Sequence, residues 1–155
     1  MGTNFFFSTK HKEITHMFSA AEYELAERPD LHYEIHLAKT SAGWLPLFEE
    51  HTLLHSVADM KKFYDVFAPK ITIIDEYGQT YTWNEFEERV LKFNGGVAGA
   101  MTKIPIVNDP DDKWYDPRLP EYGPISHFEY RMTFDERQTF FKDPEGYEFC
   151  SKSFR

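Results

Sequence analysis

The feature that most constrains the fold is the run of residues 31–38, in which apolar and polar side chains alternate. A period of two is the side-chain repeat of a β-strand with one buried face. Small residues follow at 40–43, and a second apolar run occupies 43–51, with Trp44 near its start. Because short stretches of small residues favour tight turns between strands, this pattern predicts a β-hairpin at the centre of the fold.

Helices are predicted where capping residues precede apolar side chains at helical spacing. Ser56 opens one such segment and Pro69 helps to end it, and Thr82 with Glu85 forms a capping box before another. A further capping pattern over residues 19–29 predicts a more polar, exposed helix. The sequence therefore predicts two amphipathic helices that pack on the hairpin and a third at the surface.

Other segments read as strands from their β-branched or aromatic residues. They are residues 4–9, 71–74, 128–134, 139–141 and 147–151. The last three are predicted to form a meander, with a turn at 143–146. The fold class predicted is α+β: an antiparallel sheet with two or three packed helices in one domain over residues 1–155.

The segment 95–124 is different, because prolines interrupt any regular element along it. Loops of this length are usually functional or disordered. Its aromatic residues Trp114, Tyr115 and Tyr122 predict that part of it packs, either on the domain itself or on a partner. We take these three as candidate partner-binding residues, and an irregular arm folded onto its own core is the alternative.

Charge and cysteine content exclude several classes of protein. The net charge is −9 and the chain has no Lys/Arg run longer than two, which disfavours direct nucleic-acid binding. Cys150 is the single cysteine, so neither an intrachain disulfide nor a thiolate zinc cluster can form within this chain. The apolar run near the N-terminus is too short for a membrane span, and we expect a cytoplasmic location.

The hairpin is the candidate ligand site. His36, Lys39, Thr40 and Ser41 place an imidazole, an ammonium and two hydroxyls beside a glycine turn, where a phosphate or carboxylate could be held. The predicted ligand-binding set is His36, Lys39, Thr40, Ser41, Trp44, Asp75 and Tyr77. The alternative is structural: the hydroxyls satisfy turn backbone groups and Trp44 fills the core.

Metal sites are weaker candidates. His32, Glu34 and His36 share one strand face, and His51 and His55 are four residues apart, but nothing in this spacing requires zinc. Four aspartates cluster in the proline-rich segment without the spacing of a calcium loop: Asp109, Asp111, Asp112 and Asp116. We predict no metal and no cofactor, and we predict that Glu49 and Glu50 are solvent-exposed.

The stretch from His36 to Trp44, followed by residues 75–78, reads HLAKTSAGW and then DEYG. It resembles a group of small proteins of tailed bacteriophages that read HIGKSSxGW and then DEYG. The similarity spans roughly residues 31–93, and residues 147–154 are similar too. Ala38 replaces the glycine of that group, and its cysteine-bearing N-terminal segment is absent, so no metal role carries over.

The resemblance implies a phage-encoded accessory protein in the cytoplasm of the host cell. Such a viral protein would counteract host defence or metabolism, either by inhibiting a host protein or by sequestering a nucleotide-like signal. A second copy of the chain is a further partner left open. The competing class is a small hydrolase or transferase that uses His36, Lys39 and Asp75.

Overall fold

The computed structural model describes residues 2–11, 25–27, 33–95, 104–132, 139–152 and 154. The strands are β1 Gly2–Thr9, β2 Leu25–Glu27, β3 Tyr33–Ser41, β4 Leu47–Glu49, β5 Thr72–Asp75, β6 Thr80–Tyr81, β7 Ile104–Pro105, β8 Tyr122–Gly123, β9 Phe140–Lys142 and β10 Glu148–Cys150. The helices are α1 Val57–Phe67, α2 Trp83–Phe86 and α3 His127–Met132. Helix α2 continues as a π-helical turn, Glu87–Leu91, and a 3-10 turn follows at Phe93–Gly95.

One mixed sheet organises the described residues. Its strand order is β6-β5-β1-β3-β4-β10-β9, and β2 pairs with one end of β3. All neighbours are antiparallel except β4 and β10, which run parallel. The predicted α+β class is confirmed. Strand β3 pairs along its whole length with β1, whereas the predicted hairpin partner β4 meets it at two positions, Ala38↔Phe48 and Lys39↔Leu47.

The sheet is covered on both faces. The core face packs against α1 and α2, and its cluster includes Phe5, Phe7, Ile35, Leu37 and Phe149. The opposite face, called the second face below, carries a smaller apolar cluster of Leu47, Phe140 and Cys150, packed against Phe128 and Phe154. Adjacent strand residues alternate between the two faces, which explains how Phe48 and Leu47 belong to different clusters.

Caps define the two helices that the sequence predicts best. The Ser56 side chain accepts a hydrogen bond from Asp59 N (3.0 Å), and Asp143 Oδ2 accepts one from Val57 N (2.9 Å). The capping box of Thr82 and Glu85 is present. Met60 and Phe63 of α1 and Trp83 and Phe86 of α2 are buried. Both helices are confirmed, although the second becomes a π-helical turn after Phe86.

Four predictions of secondary structure need correction. Residues 25–27 form a strand on β3, so the helix predicted over 19–29 is wrong there, and its other residues lie outside the described part. The second hairpin strand is shorter than 43–51. Residues 128–132 are helical, because Ser126 Oγ and Glu148 Oε1 cap the N–H groups of Glu129 and His127. The meander is therefore a β9–β10 hairpin, whose turn at 143–146 is confirmed.

In the described part of the chain, no helix is both long and apolar enough to cross a membrane.

Candidate functional site

His36 lies on the second face and is fully buried. Its Nδ1 is 2.8 Å from Oε1 of Glu49, and its Nε2 is 2.8 Å from Oδ1 of Asn4. The Asn4 amide is oriented by Glu76, because Nδ2 of Asn4 is 3.4 Å from Glu76 Oε1. Both ring nitrogens therefore face side-chain oxygen atoms of neighbouring strands.

The surroundings of His36 tie several strands together. Glu49 Oε2 lies 3.4 Å from Nε2 of His51, and that nitrogen also donates to the His36 carbonyl oxygen at 2.6 Å. The Asn4 backbone N–H donates to Glu76 Oε1 at 2.7 Å. The imidazole is linked to the Asp75–Gly78 bend through Asn4, inside the protein. His36 is fully buried, so it presents no surface beside the bend.

Asp75 holds the bend together. Its Oδ1 accepts hydrogen bonds from the backbone N–H groups of Tyr77 and Gln79, and its Oδ2 accepts one from the Tyr81 hydroxyl at 2.7 Å. Burial, reinforced by the hydrogen bond to Asp75, raises the pKa of Tyr81 to about 12. Tyr77 is 73% exposed, and Gly78 adopts a φ of 86° that favours glycine. Asp75 thus has structural partners for both carboxylate oxygens, and Tyr77 points away into solvent.

Lys39 and Ser41 do share a pocket. This pocket on the second face has a volume of about 220 Å³ and is lined by Lys39, Ser41, Leu47, His127, Phe140 and Phe154. The Lys39 ammonium and the Ser41 hydroxyl have no hydrogen-bond or salt-bridge partner among the described residues. Thr40 is buried and does not line it. His36 stands behind the pocket, with its ring 4.8 Å from that of Phe154 in an edge-to-face contact.

Trp44 packs beside this pocket rather than in the main core. Its ring stacks on His127 at 4.6 Å and meets Tyr130 edge-on at 5.4 Å. His127 Nε2 donates to the Leu45 carbonyl oxygen at 3.0 Å, so the imidazole is held as a wall of the pocket. The structural alternative that put Trp44 in the core is wrong, since Trp44 is half-buried and belongs to neither apolar cluster.

The structure thus separates the predicted ligand-binding set into three groups. Lys39 and Ser41 line the pocket, with Trp44 behind its His127 wall, while His36 and Thr40 are buried and Asp75 and Tyr77 belong to the bend. Sequence reasoning missed Asn4, Glu49, His127 and Phe154. Glu49 is 5% exposed, so the prediction that it is solvent-exposed is wrong. The sequence did contain a signal for the burial of Glu49. Side chains alternate along a strand, so Glu49 shares the face of Leu47, two residues earlier, in an otherwise apolar strand.

A larger hollow of about 500 Å³ lies between α1 and the π-helical turn. It contains none of the predicted ligand-binding residues. Lys61 and Asp65 on its rim already pair with each other at 2.7 Å, and Glu87 is also on the rim. Trp83 Nε1 is buried without a hydrogen-bond partner among the described residues, but solvent does not reach that atom. Lys62 and Glu145 also line this groove, so charges of both signs surround it.

The arm, defined here as residues 104–124, presents large apolar side chains to solvent. Val107 is 95% exposed and Trp114 is 79% exposed, and Tyr115 and Tyr122 are also exposed. Its ends are joined by the β7–β8 pair, and Ile106 N donates to the Glu121 carbonyl oxygen. The three predicted partner-binding aromatics are therefore accessible on a folded segment.

Polar contacts hold the arm in one shape. Asn108 Nδ2 donates to the Asp116 carbonyl oxygen (2.6 Å), and Asp116 N donates to Asn108 Oδ1 (3.0 Å). The Asp116 carboxylate accepts hydrogen bonds from Arg118 and from the Tyr130 hydroxyl, and these contacts hold its pKa well below the usual range. Asp109 and Asp112 accept backbone N–H groups two residues on, as in Asx turns. The clustered aspartates thus shape the arm, and no group of three metal-ligating side chains occurs among the described residues.

Comparisons with known proteins return no match: no protein-family model fits the chain, and no curated protein or solved structure is significantly similar to it. The similarity to bacteriophage proteins therefore stays a prediction, and the function is argued from the geometry described above.

Proposed function

We propose that this chain is an accessory binding protein that engages a basic surface of a partner protein through its arm. The main observation behind this proposal is that Val107 and Trp114 are 95% and 79% exposed on one short folded segment. Tryptophan is the residue type most enriched among side chains that dominate binding energy. Neighbouring apolar side chains exposed on one loop are more informative than single ones scattered over a surface.

The contacts within the arm support this proposal. Two hydrogen bonds between Asn108 and Asp116 close the lobe that carries Trp114, and Tyr130 anchors Asp116 to helix α3. A loop already held in its binding shape loses less conformational entropy when a partner docks. The arm is therefore suited to binding with little rearrangement.

Charge specifies the partner. Around Trp114 the arm carries acidic residues at 109, 111, 112, 116 and 121, against basic residues at 113 and 118 only. The whole chain has a net charge of −9. A lysine- or arginine-rich surface would complement this arm, and long-range attraction would speed its association. The phage resemblance makes a host protein, inhibited in the host cytoplasm as part of counter-defence, the partner that we propose.

The test compares two double variants that remove exposed apolar surface. Val107→Ser/Trp114→Ala removes the two most exposed apolar side chains of the arm. The matched control Leu53→Ser/Val66→Ser removes exposed apolar side chains elsewhere. Each immobilised variant is incubated with bacterial lysate, and the retained proteins are quantified by mass spectrometry. The retained candidate is then purified and titrated against each variant at rising salt concentration.

We expect one basic protein to be retained by the wild type and the control and to be lost by the arm variant. Its affinity should fall as salt rises, because screening weakens attraction between exposed charges. Equal retention by the arm variant, a salt-independent affinity or an arm-dependent dimer of this chain would each refute the proposal.

No observation favours the enzymatic alternative. His36 is enclosed by Glu49 and Asn4, Asp75 is occupied by the bend, and Lys39 alone of the three lines a pocket. A general acid or base must be able to reach the proton that it transfers. The pocket itself supports a different, non-catalytic inference.

A further inference from the structure

The second-face pocket contains a lysine ammonium that pairs with none of the described residues. Among the described residues, no carboxylate or carbonyl bonds the Lys39 ammonium, and none bonds the neighbouring Ser41 hydroxyl. Two carboxylates of this face are already paired: Glu49 contacts His36, and Glu148 accepts from Ser126 and His127. In a chain of net charge −9, an ammonium left unpaired in a pocket is an available anion site.

A β-bulge places Lys39 there. Phe5 pairs with Ala38 while the next residue, Phe6, pairs with His36, so Leu37 is an extra residue in β3. Leu37 and Ala38 both join the core cluster, and Lys39 emerges on the second face with Leu47. Under regular alternation, Lys39 would point to the core face instead. Bulges commonly re-aim a side chain beside a functional site.

The N-terminal strand keeps the rim of the pocket open. A Cβ atom at Gly2 would lie 2.7 Å from Lys39 Cε and 2.8 Å from Ser41 Oγ. The same Cβ atom would lie 2.6 Å from the Thr40 carbonyl oxygen, so glycine at this position lets β1 approach Lys39 and Ser41 closely.

The remaining lining defines the ligand. Leu47, Phe140 and Phe154 are apolar, and His127 is fixed by its bond to the Leu45 carbonyl oxygen. The volume, about 220 Å³, is below the roughly 300–1,000 Å³ of sites for drug-sized ligands. We propose that the pocket binds a small organic anion, with its carboxylate or phosphate on Lys39 and Ser41 and its apolar part against Phe140 and Phe154. A whole nucleotide is too large to be enclosed.

Three probe molecules distinguish the contribution of the ligand's charge to affinity from the contribution of its apolar part. Benzoate carries a carboxylate on a ring, phenyl phosphate carries a phosphate, and benzyl alcohol carries no charge. Each is titrated into the full chain by calorimetry and followed by NMR of the aromatic side chains. The variants are Lys39→Met and Ser41→Ala, and the control is Lys113→Met, which removes an exposed lysine of the arm.

We expect saturable binding of at least one anion, with benzyl alcohol about tenfold weaker or more, since a hydrogen bond to a charged group contributes that much. Lys39→Met should lose a similar factor, Ser41→Ala a smaller one, and Lys113→Met none. The absence of binding by both anions, or equal affinity in Lys39→Met, would overturn the inference. Because the arm is a separate surface, the partner-protein test can fail without affecting this result.

Discussion

The buried pair of His36 and Glu49 gives the sharpest test of how the second face is held together. Glu49→Gln keeps the length of the side chain but removes the charge that faces His36 Nδ1 at 2.8 Å. The imidazole would then stand in a buried site, with the amide oxygen of Asn4 at its other nitrogen but without its carboxylate. Because His36 can release its proton when the carboxylate is gone, we expect the loss of a buried hydrogen bond to a charged group, about 1.5–3 kcal/mol.

That loss is large relative to the whole protein. Domains of this size are stable by about 5–15 kcal/mol, so Glu49→Gln should remove a substantial part of the free energy of unfolding. Since 1 kcal/mol shifts the melting temperature of such a chain by about 2–4 °C, we expect a decrease of about 3–12 °C. Urea unfolding followed by circular dichroism measures the free energy, and calorimetry measures the melting temperature.

Glu50→Gln is the matched control on the adjacent residue. The Glu50 carboxylate pairs with the exposed His55 ring at 2.8 Å, and such a pair contributes about 0–1 kcal/mol. The Glu50 carboxylate accepts a hydrogen bond from the His55 ring, and this bond is the main reason that the pKa of His55 is raised. Glu50→Gln should therefore lower that pKa in an NMR titration. The control therefore checks the charge change without a large change in stability.

A double-mutant cycle completes the test. In His36→Gln/Glu49→Gln both charges are absent, so the double variant should cost less than the sum of the single variants, with a coupling of about 0.5–3 kcal/mol. If Glu49→Gln costs no more than Glu50→Gln, or if the two single losses simply add, the description of His36 and Glu49 as a coupled buried pair is wrong.

Three further perturbations test other contacts. The pKa of Tyr81 is raised from 10.0 to about 12, so the folded state keeps this proton to a higher pH than the unfolded state does. The free energy of unfolding should therefore fall as pH rises between these two values. Tyr81→Phe should abolish that part of the pH dependence and remove the highest step of a tyrosinate absorbance titration. Asp143→Ala leaves the N–H of Val57 without its acceptor and should lower the free energy of unfolding by about 1–3 kcal/mol in urea. Asn108→Ala removes both bonds that close the arm, so limited proteolysis should cut within the arm faster than in the wild type.

Local rules explain the parts of the fold that could be predicted. The capping box of Thr82 and Glu85 and the Ser56 cap lie within a few residues of the helices that they begin, so the sequence shows them directly. Helix α3 could not be predicted in this way. Its residues alternate as a strand would, and the helix is capped partly by Glu148, which is 21 residues away from His127. Tertiary contacts overrode the local period there.

The candidate site shows the same division. The alternation of residues 31–38 correctly identified the strand that carries Lys39 and His36. It could not show the bulge at Leu37, which depends on pairing with β1, nor the walls supplied by His127 and Phe154. The arm was recognisable from its prolines and aromatics alone. Its internal bonds between Asn108 and Asp116 were not, because they depend on the path of the intervening loop.

Strand β3 therefore carries two basic side chains on one face with opposite roles. His36 is fully buried and needs acceptors on both nitrogens, which Asn4 and Glu49 provide from the neighbouring strands. Lys39 is only half-buried, so water can solvate its ammonium when no ligand is present, and no carboxylate of the described residues pairs with it. A buried charge without a partner would destabilise the sheet, whereas an unpaired charge at a pocket rim costs little and stays available. The two side chains therefore differ in role because of their burial, which the bulge and Phe154 impose, and not because of residue type. His36 is structural, whereas Lys39 is the group that we propose binds an anion.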